Sequence, residues 1–422
     1  MKKTLYVFYE KQLIGTLHRN EDLVFSYSYS DHWLKSDSAF ALSLAMPLSQ
    51  QKFENKITLS FFENLLPEGD LRKTIETDHD ITGVFDFLEH FGKDCAGAVT
   101  ITENKNFKPA PTQTKPVHLT RAKIDSALSK KKSVADVIAG MDPGYLSLAG
   151  AQDKFAAIYK ENKFFLPTGG APTTHIVKVP IVRNGVKDSV YNELFCMQLA
   201  RAIGFDIPPC EILEGDYPLF IIQRYDRTTD SKGRTHRLHQ QDFCQAQGIT
   251  SEFKHEAKGG PKLKDNYNLL LENATASKRM QNLKDFLNWV CFNLLIGNND
   301  SHSKNISFLL KGQRIELAPF YDLLCTSIYT SLKKDFSFYI GGRNRFEQIG
   351  LNQFHQEEEN LGIKKNSFVQ RMKDVRARVL EHKDRVTTEV LSQYPKAKIA
   401  KRISQLISKR AKGLTQQGIT GD

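Results

Sequence analysis

Residues 283–297, LKDFLNWVCFNLLIG, are apolar on nearly every side of a helix, and such a helix belongs at the centre of a folded lobe. It runs directly into IGNNDSHSKN (296–305), where Asn, Asp, Ser, His and Lys take over. A polar loop launched from a buried helix can present its side chains to one point. Asp300 and Asn305, five residues apart, fit the loop that phosphoryl-transfer enzymes use. There the Asp accepts or orients the proton of an attacking hydroxyl, and the Asn turns back to hold magnesium on the phosphates. The same composition also suits an ordinary solvent-exposed turn.

Seventeen residues after Asn305, Pro319-Phe-Tyr-Asp322 follows the expected strand pair ISFLL and RIELA. A metal-binding Asp sits just past such a hairpin in kinases. Two carboxylates a few ångströms apart repel unless a cation lies between them, and Mg2+ with ATP removes that cost. The alternative is an Asp that caps a following helix. Upstream, Thr174-His-Ile-Val-Lys178-Val-Pro reads as a strand whose lysine should reach the surface unless an anion holds it. Glu193, on the next amphipathic helix, stands where a strand Lys and helix Glu pair to position nucleotide phosphates; an edge-strand lysine and an ordinary helix glutamate are the plain alternatives. Small residues in Ser147-Leu-Ala149-Gly150-Ala151-Gln152-Asp153-Lys154 let backbone amides approach phosphate oxygens. That segment carries neither GxGxxG nor GxxxxGK[ST], so an unliganded hairpin is equally compatible with it.

The rest of the 422 residues bounds the architecture. TLYVFY, IGTLH, LVFSYS and AGAVTIT read as strands around a helical stretch near residues 61–91, defining an N-terminal β-rich subdomain over 1–105. The three prolines within 106–120 mark a connection, extended here to residue 135. A sheet-based lobe over 136–227 and a mostly helical lobe over 228–422 follow. The six scattered cysteines suggest no disulfide framework and fit a reducing compartment. The apolar run Leu5 to Tyr9 is too short for an export signal, and no window approaches the roughly 18 apolar residues that span a bilayer. A cytoplasmic protein with no membrane partner is the expectation. The net charge of +11 favours polyanionic partners.

Taken together, the chain resembles the HipA family of bacterial toxin kinases. The resemblance rests on LSLAMPL (42–48), FFENLLPEGDLR (61–72) and DCAGAV (94–99) in the amino-terminal part. It continues through SLAGAQDK (147–154), HIVKVP (175–180), NELFCMQLA (192–200), QRYDR (223–227), LHQQDFCQAQG (238–248), IGNNDSHSKN and APFYDLL (318–324). The family implies an α+β, bilobal protein-kinase-like fold with an N-terminal β-rich subdomain and a helical C-terminal lobe. It implies a serine/threonine kinase in which Asp300 is the proton acceptor, Asn305 and Asp322 hold Mg2+, and Lys178 meets the phosphates of ATP. It further implies that loop 149–154 covers ATP, with Ser301, His302 and Tyr321 beside the site and Gln223, Arg224 and Tyr225 at an adenine hinge. Gln223 stands where Glu is frequent and Tyr225 where Phe is frequent.

Ser147 occupies the position at which family members autophosphorylate, a modification expected to eject the loop because a phosphate among phosphate-binding amides repels ATP. The family's biology implies a type II toxin–antitoxin module linked to growth arrest and persistence. Its partners would be a HipB-like antitoxin, operator DNA reached through the antitoxin, and a translation component such as an aminoacyl-tRNA synthetase as substrate. The stretch Lys396–Lys412, with seven Lys or Arg and no acid, reads as a terminal helix with a solvated basic side or as a surface that touches DNA. A catalytically inactive kinase fold, a DNA-associated corepressor, and a small-molecule kinase on the same fold are the competing readings.

Overall fold

The computed structural model describes residues 3–109, 116–130, 152–168 and 170–419, with 132–134, 138 and 150. It mixes helix and sheet and forms two compact units. One comprises Met1–Val179, Leu213–Ser251 and Ser307–Gln313; the other comprises Pro180–Ile212, Glu252–Ile306 and Arg314–Asp422.

The first unit opens with β1 (Lys3–Tyr9), β2 (Gln12–Arg19), β3 (Phe25–Tyr29), β4 (Lys52–Phe53) and β5 (Val99–Thr102), ordered β4-β3-β2-β1-β5. Their alternation sends Leu5, Val7, Leu17, Tyr27 and Tyr29 to one face. Helices α1 (Asn55–Glu63), α2 (Gly69–Asp78) and α3 (Gly83–Phe91) supply Phe61, Phe62, Ile75, Phe85 and Phe91 to the same core. The motifs at 42–48 and 61–72 grip residues 240–251 through buried polar contacts. Ser43 Oγ donates to the Gln245 carbonyl at 2.7 Å, Leu44 N–H to Gln241 Oε1 at 2.9 Å, and Asn64 Nδ2 to the Ile249 carbonyl at 2.7 Å. Each satisfies a group whose burial would otherwise be costly.

A second sheet in this unit runs in the order β10-β9-β7-β8-β6. Its strands are β6 (Val117–Leu119), β7 (Lys154–Lys160), β8 (Lys163–Leu166), β9 (His175–Lys178) and β10 (Leu219–Gln223). Phe155, Phe164, Leu166, Val177, Leu219 and Ile221 pack with Ile124 and Ala127 of α4 (Arg121–Ser129). Val117–Leu119, inside the proline-containing stretch expected to be an exposed connection, pairs with β8 as an edge strand.

The second unit is mainly helical, with α5 (Ser189–Ala202), α6 (Leu263–Asn273), α7 (Ala276–Ile296), α8 (Leu351–Leu361), α9 (Ser367–Gln393) and α10 (Ile399–Gln416). α7 is central as its composition demands: α6, α9 and α10 pack around it, and Phe286, Trp289, Phe292 and Ile296 are buried. α10 buries Ile399, Ile403 and Ile407 and leaves Lys401, Arg402 and Lys409 exposed. Leu406 is half-buried. Arg410 turns inward, donating from Nη2 and Nε to the Leu294 carbonyl near the C-terminus of α7 and lying 3.7 Å from the Phe346 ring centroid. A guanidinium there complements the helix dipole. No helix among the described residues is long and apolar enough to cross a membrane, and all six cysteines are free thiols.

Candidate active site

In the second unit, α7 ends at Gly297, whose φ of 75° is left-handed. A Cβ there would stand 2.7 Å from Ser327 Cβ and Oγ, so glycine is required both for the turn and for the close approach. The chain then enters residues 298–305. Only Asp300 is exposed among them; Asn298 and residues 301–305 are buried. The plain reading of this segment as a solvated turn therefore fails.

Burial of so polar a loop is made affordable by its own side chains. Asn298, fully buried, donates from Nδ2 to Asn293 Oδ1 at 2.8 Å and to the Asp322 carbonyl at 3.2 Å, and its Oδ1 accepts the Asp300 N–H at 3.3 Å. Ser301 Oγ donates to the Asn298 carbonyl and Asn299 N–H to Thr326 Oγ1. Asn305 Nδ2 donates to the Asp300 carbonyl at 2.9 Å. These bonds leave the Asp300 carboxylate pointing outward, with 63% of the side chain accessible.

Asp322 lies one hydrogen bond from this loop through Asn298 and has φ 55°, a left-handed conformation that Asp tolerates better than most residues. It caps no helix, since the next helical turn, Thr326–Ile328, has Cys325 at its N-cap. Backbone held in a sparsely populated region is characteristic of functional sites. Asn305 and Asp322 carry oxygen donors of the kind that Mg2+ selects, and Asn305 Nδ2 is engaged by the Asp300 carbonyl. Tyr321 Oη donates to the Lys304 carbonyl, bracing the two segments against each other.

Two imidazoles flank Asp300. His302 Nε2 lies 3.8 Å and His255 Nε2 3.7 Å from Asp300 Oδ1, and the rings meet edge to face with centroids 4.8 Å apart. His302 belongs to the motif. His255, 45 positions upstream of Asp300, was not singled out from the sequence, where nothing in Lys254-His255-Glu256 signals the proximity.

The remaining expected residues belong to the first unit, except Glu193, which is buried on α5 of the second. Lys178 is 6% exposed, and its ammonium lies 5.9 Å from the Phe220 ring centroid. It is the cross-strand partner of Lys154, so two cations share one face of the β7–β9 ladder. Gly150 has φ 109°, and a Cβ there would meet Lys154 Nζ at 2.8 Å. Gln152 Nε2 donates to the Val179 carbonyl, while the Asp153 carboxylate accepts from Ser133 Oγ and Val134 N–H at 3.0 Å each. Both side chains brace the loop base. Ser147, Ala149 and Ala151 lie outside the described residues.

Gln223 ends β10 exposed, and Tyr225 Oη donates to Gln240 Oε1. Arg224 serves the scaffold. Its guanidinium is engaged by Asp226, Asp94 and the Cys95 carbonyl, and Arg227 and Arg237 also reach Asp94 at 2.9 and 2.8 Å. Burial by itself raises the Asp94 pKa, but Arg227, Arg224 and Arg237 outweigh it and hold the carboxyl well below the usual carboxylate range.

The family described as HipA N-terminal domain matches residues 5–102, and the HipA-like C-terminal domain matches residues 146–383. The "Putative kinase Y4mE" of Sinorhizobium fredii is 33% identical over 368 residues, covering 86% of each chain. The "Serine/threonine-protein kinase toxin HipA" of Shewanella oneidensis is 28% identical over 372 residues, 84% of this chain and 82% of that protein. The solved complex of Shewanella oneidensis MR-1 HipA, HipB and operator DNA aligns with a TM-score of 0.83 and 22% identity, covering 98% of this chain and 97% of that one. That likeness establishes a kinase-like fold.

Proposed function

The chain belongs to the HipA family, and from that premise we propose that it is a serine/threonine protein kinase that moves the γ-phosphoryl group of ATP to a protein hydroxyl. Asp300 accepts or orients the hydroxyl proton. Asn305 Oδ1 and the Asp322 carboxylate are the ligands offered to Mg2+, which neutralises phosphate charge when bound with ATP. Lys178, beside Lys154, meets the phosphates, and the segment 149–154 covers them. Gln223 to Tyr225 line the adenine end through backbone and exposed atoms, since the Arg224 guanidinium is engaged elsewhere.

The observation that carries this reading is the Asn298 bridge, by which one buried amide fixes the loop bearing Asp300 and the backbone of Asp322 together. A pseudokinase usually lacks one of the catalytic residues, whereas Asp300, Asn305, Asp322 and Lys178 are all retained.

By extension from the relatives, the protein is the toxin of a type II toxin–antitoxin module and works inside the cytoplasm. It autophosphorylates at Ser147, acts on a translation component such as an aminoacyl-tRNA synthetase, and meets operator DNA through a HipB-like antitoxin. The test is expression from an inducible promoter followed by phosphoproteomics. Wild type should arrest growth and carry phosphate at Ser147, and Asp300→Gln should do neither. Growth arrest that persists in Asp300→Gln contradicts the kinase reading and favours a binding role.

A further inference from the structure

The second unit holds a grouping that phosphoryl transfer does not require: His255, Asp300 and His302, each offering one donor atom, all within 4.8 Å of one another. We propose that these three side chains form a binding site for a transition-metal dication of the zinc class, whose occupancy takes Asp300 out of service. The regulatory half rests on the kinase reading above, whereas the binding half does not.

Three observations support it. The donor set of two imidazoles and one carboxylate is the borderline set that zinc and its neighbours prefer, whereas Mg2+ selects oxygen alone. The spacing is close to what a tetrahedral ion needs. Metal–ligand bonds of about 2.0–2.1 Å imply donor–donor distances of roughly 3.3 Å, against 3.7 and 3.8 Å from Asp300 Oδ1 to the two imidazole Nε2 atoms. A contraction of about half an ångström brings the exposed Asp300 carboxylate to that distance from each ring, while the two ring nitrogens close from no more than 4.8 Å by rotation of the imidazoles.

The third observation is the tautomer that the surroundings impose on His255. Ser337 Oγ lies 2.8 Å from the Asn299 carbonyl, to which it can only donate, and 3.4 Å from His255 Nδ1. A hydroxyl has one proton, so toward His255 it accepts, and Nδ1 carries the hydrogen. The neutral ring then presents the Nε2 lone pair to a carboxylate 3.7 Å away. Two acceptors facing each other favour a positive charge between them, supplied by a proton on the imidazole or by a metal ion that replaces it. A neighbouring group that fixes the ligating tautomer is also the outer-shell arrangement usual in zinc sites. The ring is further anchored because Glu256 accepts the Tyr339 N–H at 2.9 Å, on the strand Asp335–Ile340 that carries Ser337.

The experiment uses the full-length protein free of nucleotide, titrated with Co2+ while its visible d–d absorption is followed, then challenged with Zn2+. Wild type should bind one equivalent with nitrogen-ligated spectra, displaced by Zn2+. His255→Ala should weaken binding by at least about tenfold, and Ser337→Ala, which keeps all three ligands, should weaken it by less. Thermal midpoints identify a variant that has misfolded. In the transfer assay at saturating Mg2+ and ATP, stoichiometric Zn2+ should suppress wild type and a chelator should restore it. Whatever rate His255→Ala retains should not respond. Cobalt spectra or affinity unchanged in His255→Ala overturn the site. Site-specific binding without any effect of Zn2+ on an active enzyme overturns the regulatory half. A protein that binds Co2+ as described but never transfers phosphate leaves the site standing and removes the kinase reading.

Discussion

The side chain of Asn298 donates to the backbone carbonyl of Asp322 at 3.2 Å while accepting the N–H of Asp300 at 3.3 Å, so one residue registers two segments about twenty positions apart. Neither contact touches the two carboxylate groups. Asn298 is therefore a positioning residue, and its removal should misplace Asp300 and Asp322 together.

Asn298→Ala should lower kcat by about 10- to 100-fold, the scale expected when a reacting group shifts by an ångström, with little change in the KM for the protein substrate. Steady-state kinetics beside a thermal melt separate this from global instability. A purely structural role would lower the melting temperature and leave kcat per folded molecule intact.

Gly297→Ala introduces a Cβ at φ 75° and 2.7 Å from Ser327. Strain at such a position costs on the order of 1–3 kcal/mol. The midpoint of urea unfolding should fall. Gly297→Ala with Ser327→Gly should recover only the steric part of the loss.

The cluster of Asp94 with Arg224, Arg227 and Arg237 is buried throughout. Asp94→Asn removes the shared carboxylate and leaves three guanidinium groups facing an amide. Breaking a buried pair from one side costs about 3–5 kcal/mol. Denaturant unfolding should show a loss of that size, larger than for replacement of an exposed pair such as Arg385–Glu389.

Acid should destabilise the first unit before the carboxylates titrate generally. His239 is 3% exposed, and burial lowers its pKa to about 4, opposed by its contact with the Leu42 carbonyl. Its folded pKa lies below the unfolded value of about 6.5, so the stabilisation is complete above that value and is lost as pH falls toward 4. The loss approaches about 3 kcal/mol, at 1.36 kcal/mol per unit. Asp94, held low by its arginines, extends the decline to lower pH. In His239→Gln, the drop in melting temperature between pH 6.5 and 4 should be shallower.

Periodicity and loop chemistry made much of this legible. The largely apolar sequence around Trp289 marked α7 as central, and the alternation in Thr174–Lys178 marked β9. Asn305 bonds to the Asp300 backbone, so two motif residues five positions apart do meet. What stayed hidden depends on tertiary proximity. His255 reaches Asp300 through the packing of a strand 80 residues further on, and no local pattern encodes that. Arg224 sits in a segment that resembles a nucleotide hinge, yet its charge answers Asp94, 130 residues away. Edge strand Val117–Leu119 was obscured by the prolines that precede it.

The most direct test of the central claim compares initial rates of Mg2+-dependent phosphate transfer from labelled ATP by wild type, Asp300→Asn and Asp322→Ala. Losses of at least about 10²-fold are expected from removal of a general base, and a comparable loss in Asp322→Ala, with thermal midpoints close to wild type, is what this account predicts. Transfer at the wild-type rate by either folded variant contradicts it.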